Sequence, residues 1–252
     1  MWRRSYHIIS ATLIMAAACI ADDSAAGRER KTSFLAVGDS PPFRQEIRDG
    51  VRYEIEPPAG TIPPRDVLAG LGGKKSDPVP LRLGRPSPWV TVPPGDGPLQ
   101  LWRADDAADV PPWLAVSRPP DGDFLVLLWR KPAARSWLEA SAITLPRTPA
   151  GMARIVNLFP SAVSIDWGGE SLPLKPGRSV LRQTPPDKPV TLRVMSRDSQ
   201  GTMKKYHSGV VSGNAGESSL VTIYRADGPA PRRPLKVAVI RNSTEPTPPV
   251  AP

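Results

Sequence analysis

Proline sets the first constraint, since 33 of the 252 residues are proline, about 13% against a usual ~5%. Proline has no N–H to give to an internal helical turn or to a central strand. At this density long helices are disfavoured, strands have to be short, and turns have to be frequent. All-helical and Rossmann-type folds are therefore not expected. Hydrophobic residues make up 40% of the chain and charged residues 23%, an ordinary globular balance, so a packed core is expected and wholesale disorder is not.

The first residues read as an export signal. Arg3 and Arg4 form a short positive end, residues 8–21 are apolar apart from Ser10, Thr12 and Cys19, and charge resumes at Asp22. A stretch of about 14 residues is shorter than the ~20 needed to cross a bilayer, which favours a cleaved signal over residues 1–21 and no transmembrane segment in the mature chain. Two cleavage readings stay open. Ala16-Ala17-Ala18-Cys19 resembles the bacterial lipobox, which implies lipidation of Cys19 as the first mature residue, although Ala16 stands where that motif usually has Leu. Cys19-Ile20-Ala21 equally supplies small residues for an ordinary signal peptidase. Either way the protein is expected in the periplasm or outside the cell, soluble or anchored as a lipoprotein.

Removing residues 1–21 takes away two basic residues and no acidic one, leaving a net charge of 31 − 24 = +7. Residues 22–150 hold 17 basic and 17 acidic side chains, whereas residues 151–252 hold 14 and 7, so all the excess lies in the second half. Such a half can attract an anionic phospholipid, lipopolysaccharide or acidic glycan surface. It can equally be a plain solvated surface, because the charges other than Lys204-Lys205 and Arg232-Arg233 come singly. Nucleic acid is not an expected partner of an exported chain.

Several chemistries lack their residues. His207 is the only histidine left after the signal, and no cysteine remains if cleavage follows Ala21, so histidine- or cysteine-based metal, haem and iron–sulfur sites and disulfides are excluded. No cofactor is expected. Gly38-Asp39-Ser40, after the apolar residues 34–37, resembles the opening block of the GDS hydrolases, which implies Ser40 as nucleophile. Pro41 and Pro42 follow at once, no Gly-x-Asn-Asp block appears downstream, and Lys204 stands where that family has an Asp before its histidine. A serine without a base is a poor nucleophile, so the segment reads as a turn leaving a strand. Residues 70–75 resemble a phosphate loop, but its first glycine would fall on Leu68 and its Ser/Thr on Lys75, so they read as a loop. Asp105, Asp106 and Asp109, and separately Asp121 and Asp123, offer oxygen ligands without the spacing of a calcium loop.

An internal repeat is the most informative pattern. Residues 79–84 line up with 163–168, 90–95 with 172–177, 98–101 with 189–192, 115–122 with 210–217, 125–130 with 220–225, and 140–145 with 235–240. The blocks keep their order while the loops change length, so two related units are expected, with repeat cores at 64–146 and 152–241. Each block is short, alternating or wholly apolar, and bounded by Gly, Pro, Asp or Asn, the pattern of strands in a sandwich or barrel. Val163, Ile165 and Trp167 alternate with Ser164 and Asp166, and Gly168-Gly169 then supplies a hairpin turn. Residues 124–129 are apolar throughout, as in a strand buried on both faces, and 220–224 should be the matching central strand. Residues 33–37, 43–47 and 51–55 read as further strands, the last two joined at Arg48-Asp49-Gly50, so the first unit extends over 32–146. Residues 243–252 read as a solvated, extended Pro-rich tail.

The segment Arg154-Ile155-Val156-Asn157, through Pro160, Val163 and Ile165 to Gly168-Gly169, resembles an uncharacterised β-sandwich repeat of bacterial exported proteins. That repeat starts Arg-Val-x-(His or Asn), followed by a Pro and an alternating strand ending in a glycine turn. The chain as a whole is similar to uncharacterised exported proteins of Verrucomicrobia-type bacteria. The resemblance implies fold and compartment and carries no activity. The expected architecture is all-β, two tandem Ig-like β-sandwich (or small barrel) units behind an N-terminal signal segment.

Six tryptophans follow the signal. Trp129 matches Tyr224 in the repeat and Trp167 lies in an alternating strand, so both are expected in the core. The repeat puts non-aromatic positions opposite Trp102, Trp113 and Trp137, which makes these three the candidates for ring stacking on a ligand, with core packing as the alternative. The expected function is an exported, non-catalytic structural or binding module of the cell envelope, partnered by an envelope protein or an anionic glycan or lipid surface. The rival is a hydrolase of unfamiliar type using carboxylates such as Asp105, Asp106 or Glu139. A third possibility is a subunit whose strand edges pair with neighbours.

Overall fold

A computed structural model describes residues 29–243 apart from 96, 133 and 228–230. The signal segment, Cys19 and the tail beyond Ser243 lie outside the described residues. Those described form nineteen strands and no helix, so no helix is long and apolar enough to cross a membrane. The first half holds β1 (Arg30–Val37), β2 (Gln45–Arg48), β3 (Val51–Glu54), β4 (Asp66–Leu71), β5 (Lys74–Lys75), β6 (Val79–Pro80), β7 (Val90–Val92), β8 (Leu99–Arg103), β9 (Leu114–Val116), β10 (Phe124–Arg130) and β11 (Ala140–Pro146). The second holds β12 (Met152–Asn157), β13 (Val163–Trp167), β14 (Glu170–Leu174), β15 (Ser179–Gln183), β16 (Val190–Arg197), β17 (Met203–Val211), β18 (Glu217–Arg225) and β19 (Leu235–Ser243). Proline falls where a missing donor is tolerated: Pro80 and Pro146 end their strands, and Pro173 lies in β14, which pairs only with β13 at a sheet edge.

The strands build four sheets and one detached hairpin. Two inner sheets run β11-β10-β1-β7 and β15-β12-β18-β19, and two outer sheets run β5-β4-β8-β9, with β6 also on β4, and β14-β13-β16-β17. Each inner sheet has one parallel pair, β1 with β10 and β12 with β18, and is otherwise antiparallel. The registers of the two halves correspond closely. Leu125 pairs with Leu145, and Leu220 with Ile240; Leu99 pairs with Val116, and Val190 with Val211. The outer hairpins turn at Gly72-Gly73 and Gly168-Gly169, all four at positive φ (57°, 85°, 61° and 98°), which a side chain would strain.

Two of the expected block matches are displaced. The strand with the partners of β13 is β4 at residues 66–71, not residues 79–84, and the counterpart of residues 90–92 in β7 is β15, not 172–177. Gly-Pro-rich connections of unequal length separate these strands from the segments that the sequence blocks paired.

Strand alternation sorts the apolar side chains into three cores. Phe34, Ala36, Phe124, Val126 and Leu128 face Val67, Ala69, Leu99 and Leu101 of the first outer sheet. Ala153, Ile155, Val221 and Ile223 face Ile165, Trp167, Leu192 and Val194 of the second. The opposite faces of the same inner strands meet: Leu35, Val37, Leu125, Leu127 and Leu145 pack with Val156, Leu158, Leu220, Tyr224 and Ile240. Four layers result, with an apolar seam between the two inner sheets. This explains the apolar runs of β1 and β10 and the burial of β18 on both faces, since the second face of each is covered by the other half of the chain.

Candidate functional site

Leaving β1 at Val37, the chain turns through Gly38 and places Asp39 at one end of the seam. Asp227 arrives at the same point after β18. The two residues exchange bonds: the Asp39 N–H donates to Asp227 Oδ2 at 3.1 Å, and the Asp227 N–H donates to Asp39 Oδ2 at 3.0 Å. Asp39 Oδ1 accepts from Lys236 Nζ at 2.8 Å and from the Tyr224 hydroxyl at 3.3 Å, and the Arg130 guanidinium pairs with Asp227 Oδ1 at 2.7 Å. All four carboxylate oxygens are engaged. Burial, with the neighbouring Asp39 and Asp227 carboxylates, holds the Tyr224 phenol far above its usual range.

This network floors a cleft of about 980 Å³. Arg44, Arg130, Lys131, Arg135, Arg225 and Lys236 line it, with Pro41, Pro42, Pro58 and Pro132 as rigid apolar walls. A shallower recess sharing Asp39, Asp227 and Lys236 continues towards Arg232 and Arg233. Arg130 and Lys236 are spent on the two aspartates, whereas Arg44, Lys131, Arg135 and Arg225 have no carboxylate within ion-pair distance among the described residues. The cleft therefore presents cationic side chains without carboxylate partners among the described residues above a floor of paired aspartates. Both carboxylates below it are bonded to backbone N–H and cationic groups.

The positive charge that the sequence concentrates in residues 151–252 is only part of this surface. Arg44, Arg130, Lys131 and Arg135 come from the half whose formal charge is balanced.

The three tryptophans singled out from the sequence are mostly inside. Trp102 is 5% exposed and carries the Lys75 ammonium 4.8 Å from its ring centroid, and Trp137 is 2% exposed within the first core. Trp113 is half-buried against that core and donates its indole N–H to the Leu138 carbonyl at 3.2 Å. For Trp102 and Trp137 the packing alternative holds. The tryptophan that does reach the surface is Trp89, 40% exposed, with the Arg147 guanidinium 5.3 Å from its ring centroid. Its preceding prolines gave no period from which this could be read.

Other candidates are placed as follows. Ser40 is exposed at the end of β1, while His207 lies in the middle of β17, where burial lowers its pKa. Asp106 is ion-paired with Arg103, Asp105 and Glu139 are exposed, and Asp123 accepts the Lys31 N–H at 2.9 Å and faces Arg147 at 3.6 Å. No group of three metal-ligating side chains occurs among the described residues. The chain matches no protein-family model and no curated protein.

Proposed function

We propose that this protein is an exported, non-catalytic binding module of the cell envelope, made of two tandem Ig-like β-sandwich units at 32–146 and 152–241. Its working surface is the basic cleft at the seam. The duplication is supported by the repeated order of partners in both pairs of sheets and by the matching registers of β10–β11 and β18–β19. Export is supported by the basic start at Arg3 and Arg4 followed by the apolar residues 8–21. The observation that carries the functional reading is the contrast within the cleft, where both carboxylates are fully occupied and four cations have no carboxylate partner among the described residues. The partner is an anionic glycan or lipid surface of the envelope.

Titration with a polyuronate oligosaccharide tests it. Binding should weaken steeply with salt, because exposed charges are screened. The double variant R135Q/R225Q should lose most of the affinity, and a neutral glycan of equal length should not bind. Mature protein recovered from the cytoplasm with residues 1–21 intact would overturn the compartment. Turnover of an ester, glycan or peptide substrate that a single carboxylate substitution abolishes would replace the binding module with an enzyme.

A further inference from the structure

At the other end of the seam, where β1, β10, β12 and β18 begin, the apolar contact opens into a recess of about 220 Å³ between the two inner sheets. Its wall carries Arg147, Arg154 and Arg241, and no Asp or Glu lines it among the described residues. Arg154 is the unusual member. Alternation along β12 sends Ala153 and Ile155 into the second core and turns Arg154 to the seam, where it is 8% exposed. Its Nε donates to Thr148 Oγ1 at 3.3 Å, and neither terminal nitrogen has a partner among the described residues. Burial lowers its pKa. The guanidinium stem is buried while its terminal nitrogens open into the recess, where water or an entering anion can reach them.

Three further features make the recess a built site. Ser218, also buried, lines it with a hydroxyl that has no partner among the described residues. Glu217, next to it, falls on the opposite face of β18 by strand alternation. The corresponding position in the first half is Ser33: Ser33 is aligned with Leu125 as Arg154 is with Leu220. Ser33 donates its hydroxyl to the Ser87 carbonyl at 2.8 Å, so one half supplies the cation and the other leaves the space. At the rim, Arg147 lies over Trp89 and faces Asp123 at 3.6 Å, while Arg241 is exposed.

We infer that this recess is an oxyanion site that takes a phosphate group, free or as a monoester, with Arg154 as its buried anchor and Arg241 and Arg147 at the rim. Three guanidinium groups, one of them shared with Asp123, leave two positive charges for the ligand, which matches a phosphate dianion better than a single carboxylate. Guanidinium groups pair with phosphate oxygens through two parallel N–H bonds, and Arg154 holds both terminal nitrogens ready for that contact. The recess has room for a small ester group beside the phosphate. The site is separate from the basic cleft and does not depend on what binds there.

Calorimetric titration of the protein with inorganic phosphate, against chloride at equal ionic strength, tests the assignment, with Trp89 fluorescence as a second signal. The expected result is saturable binding at one site and a Tm raised by phosphate and not by chloride. R154M should weaken phosphate binding about tenfold or more. R241Q, at an exposed position where folding is not at stake, should weaken it by a smaller factor. Glycerol phosphate binding as well as phosphate does extends the site to monoesters; phosphate alone binding restricts it to the free ion. No saturable heat from the unaltered protein, or an affinity unchanged in both variants, would overturn the assignment.

Discussion

Asp39 and Asp227 lie 188 positions apart in the chain, yet each carboxylate receives the other's backbone N–H. Asp39→Ala removes acceptors for one N–H, one ammonium and one phenol, and should cost about 1–3 kcal/mol of folding stability, read from urea midpoints at constant slope. Tyr224 gives a pH signature at the same place. Its folded pKa is raised, so the folded protein holds the phenolic proton where the unfolded chain has released it. The stability tied to that difference is complete below about pH 10 and declines as pH rises above it. Y224F should therefore flatten the alkaline loss of stability between pH 9 and 11.5, compared with the unaltered protein in parallel urea melts. A slope identical in both proteins would rule this out. Little of the network is legible in sequence: Gly38-Asp39-Ser40 marks a turn, but nothing local indicates that its carboxylate closes on a residue of the other half.

Among the elements, the β2–β3 hairpin stands apart from both pairs of sheets. Its turn is an Asp-Gly pair with both residues at positive φ, Asp49 at 50° and Gly50 at 77°, the geometry that a two-residue hairpin prefers. Phe43, Ile47, Val51, Tyr53 and Ile55 are all exposed on it. Replacing residues 43–55 by a short Gly-Ser linker should shift Tm by no more than about 4 °C, because few buried contacts are lost. A larger drop in differential scanning calorimetry would mean that the hairpin supports the core. Its two strands and their turn were readable from alternation and from Arg48-Asp49-Gly50. Its separation from the sheets was not, since the same pattern serves a paired strand as well as a free one. Conversely, the wholly apolar 124–129 announced burial on both faces but could not name the second cover.

Across the whole molecule the seam decides how the halves behave. Leu35, Leu127, Val156 and Leu220 are fully or nearly fully buried there, so both halves should unfold in one transition. Leu127→Ala should cost about 2–5 kcal/mol. Leu127→Lys puts an unpaired charge into the apolar contact and should split the calorimetric peak in two, each half melting on its own core. From residue 115 onward the block order of the sequence keeps a single offset of 95, and the strands on those blocks hold equivalent partners in the two halves. It failed at β4 and β7, where proline-rich connections of different length separate the strands and the apolar letters of a neighbouring segment fit equally well.

The parallel union of β1 with β10 has a consequence in time. Thr32 meets Phe124 across 92 residues, so the central pair of the first lobe cannot zip until its late strand exists. Closing so large a loop costs entropy before any contact repays it, and folding of such topologies runs in milliseconds to seconds rather than microseconds. A lobe whose central pair waits for its late strand stays open for as long as that strand is still being made.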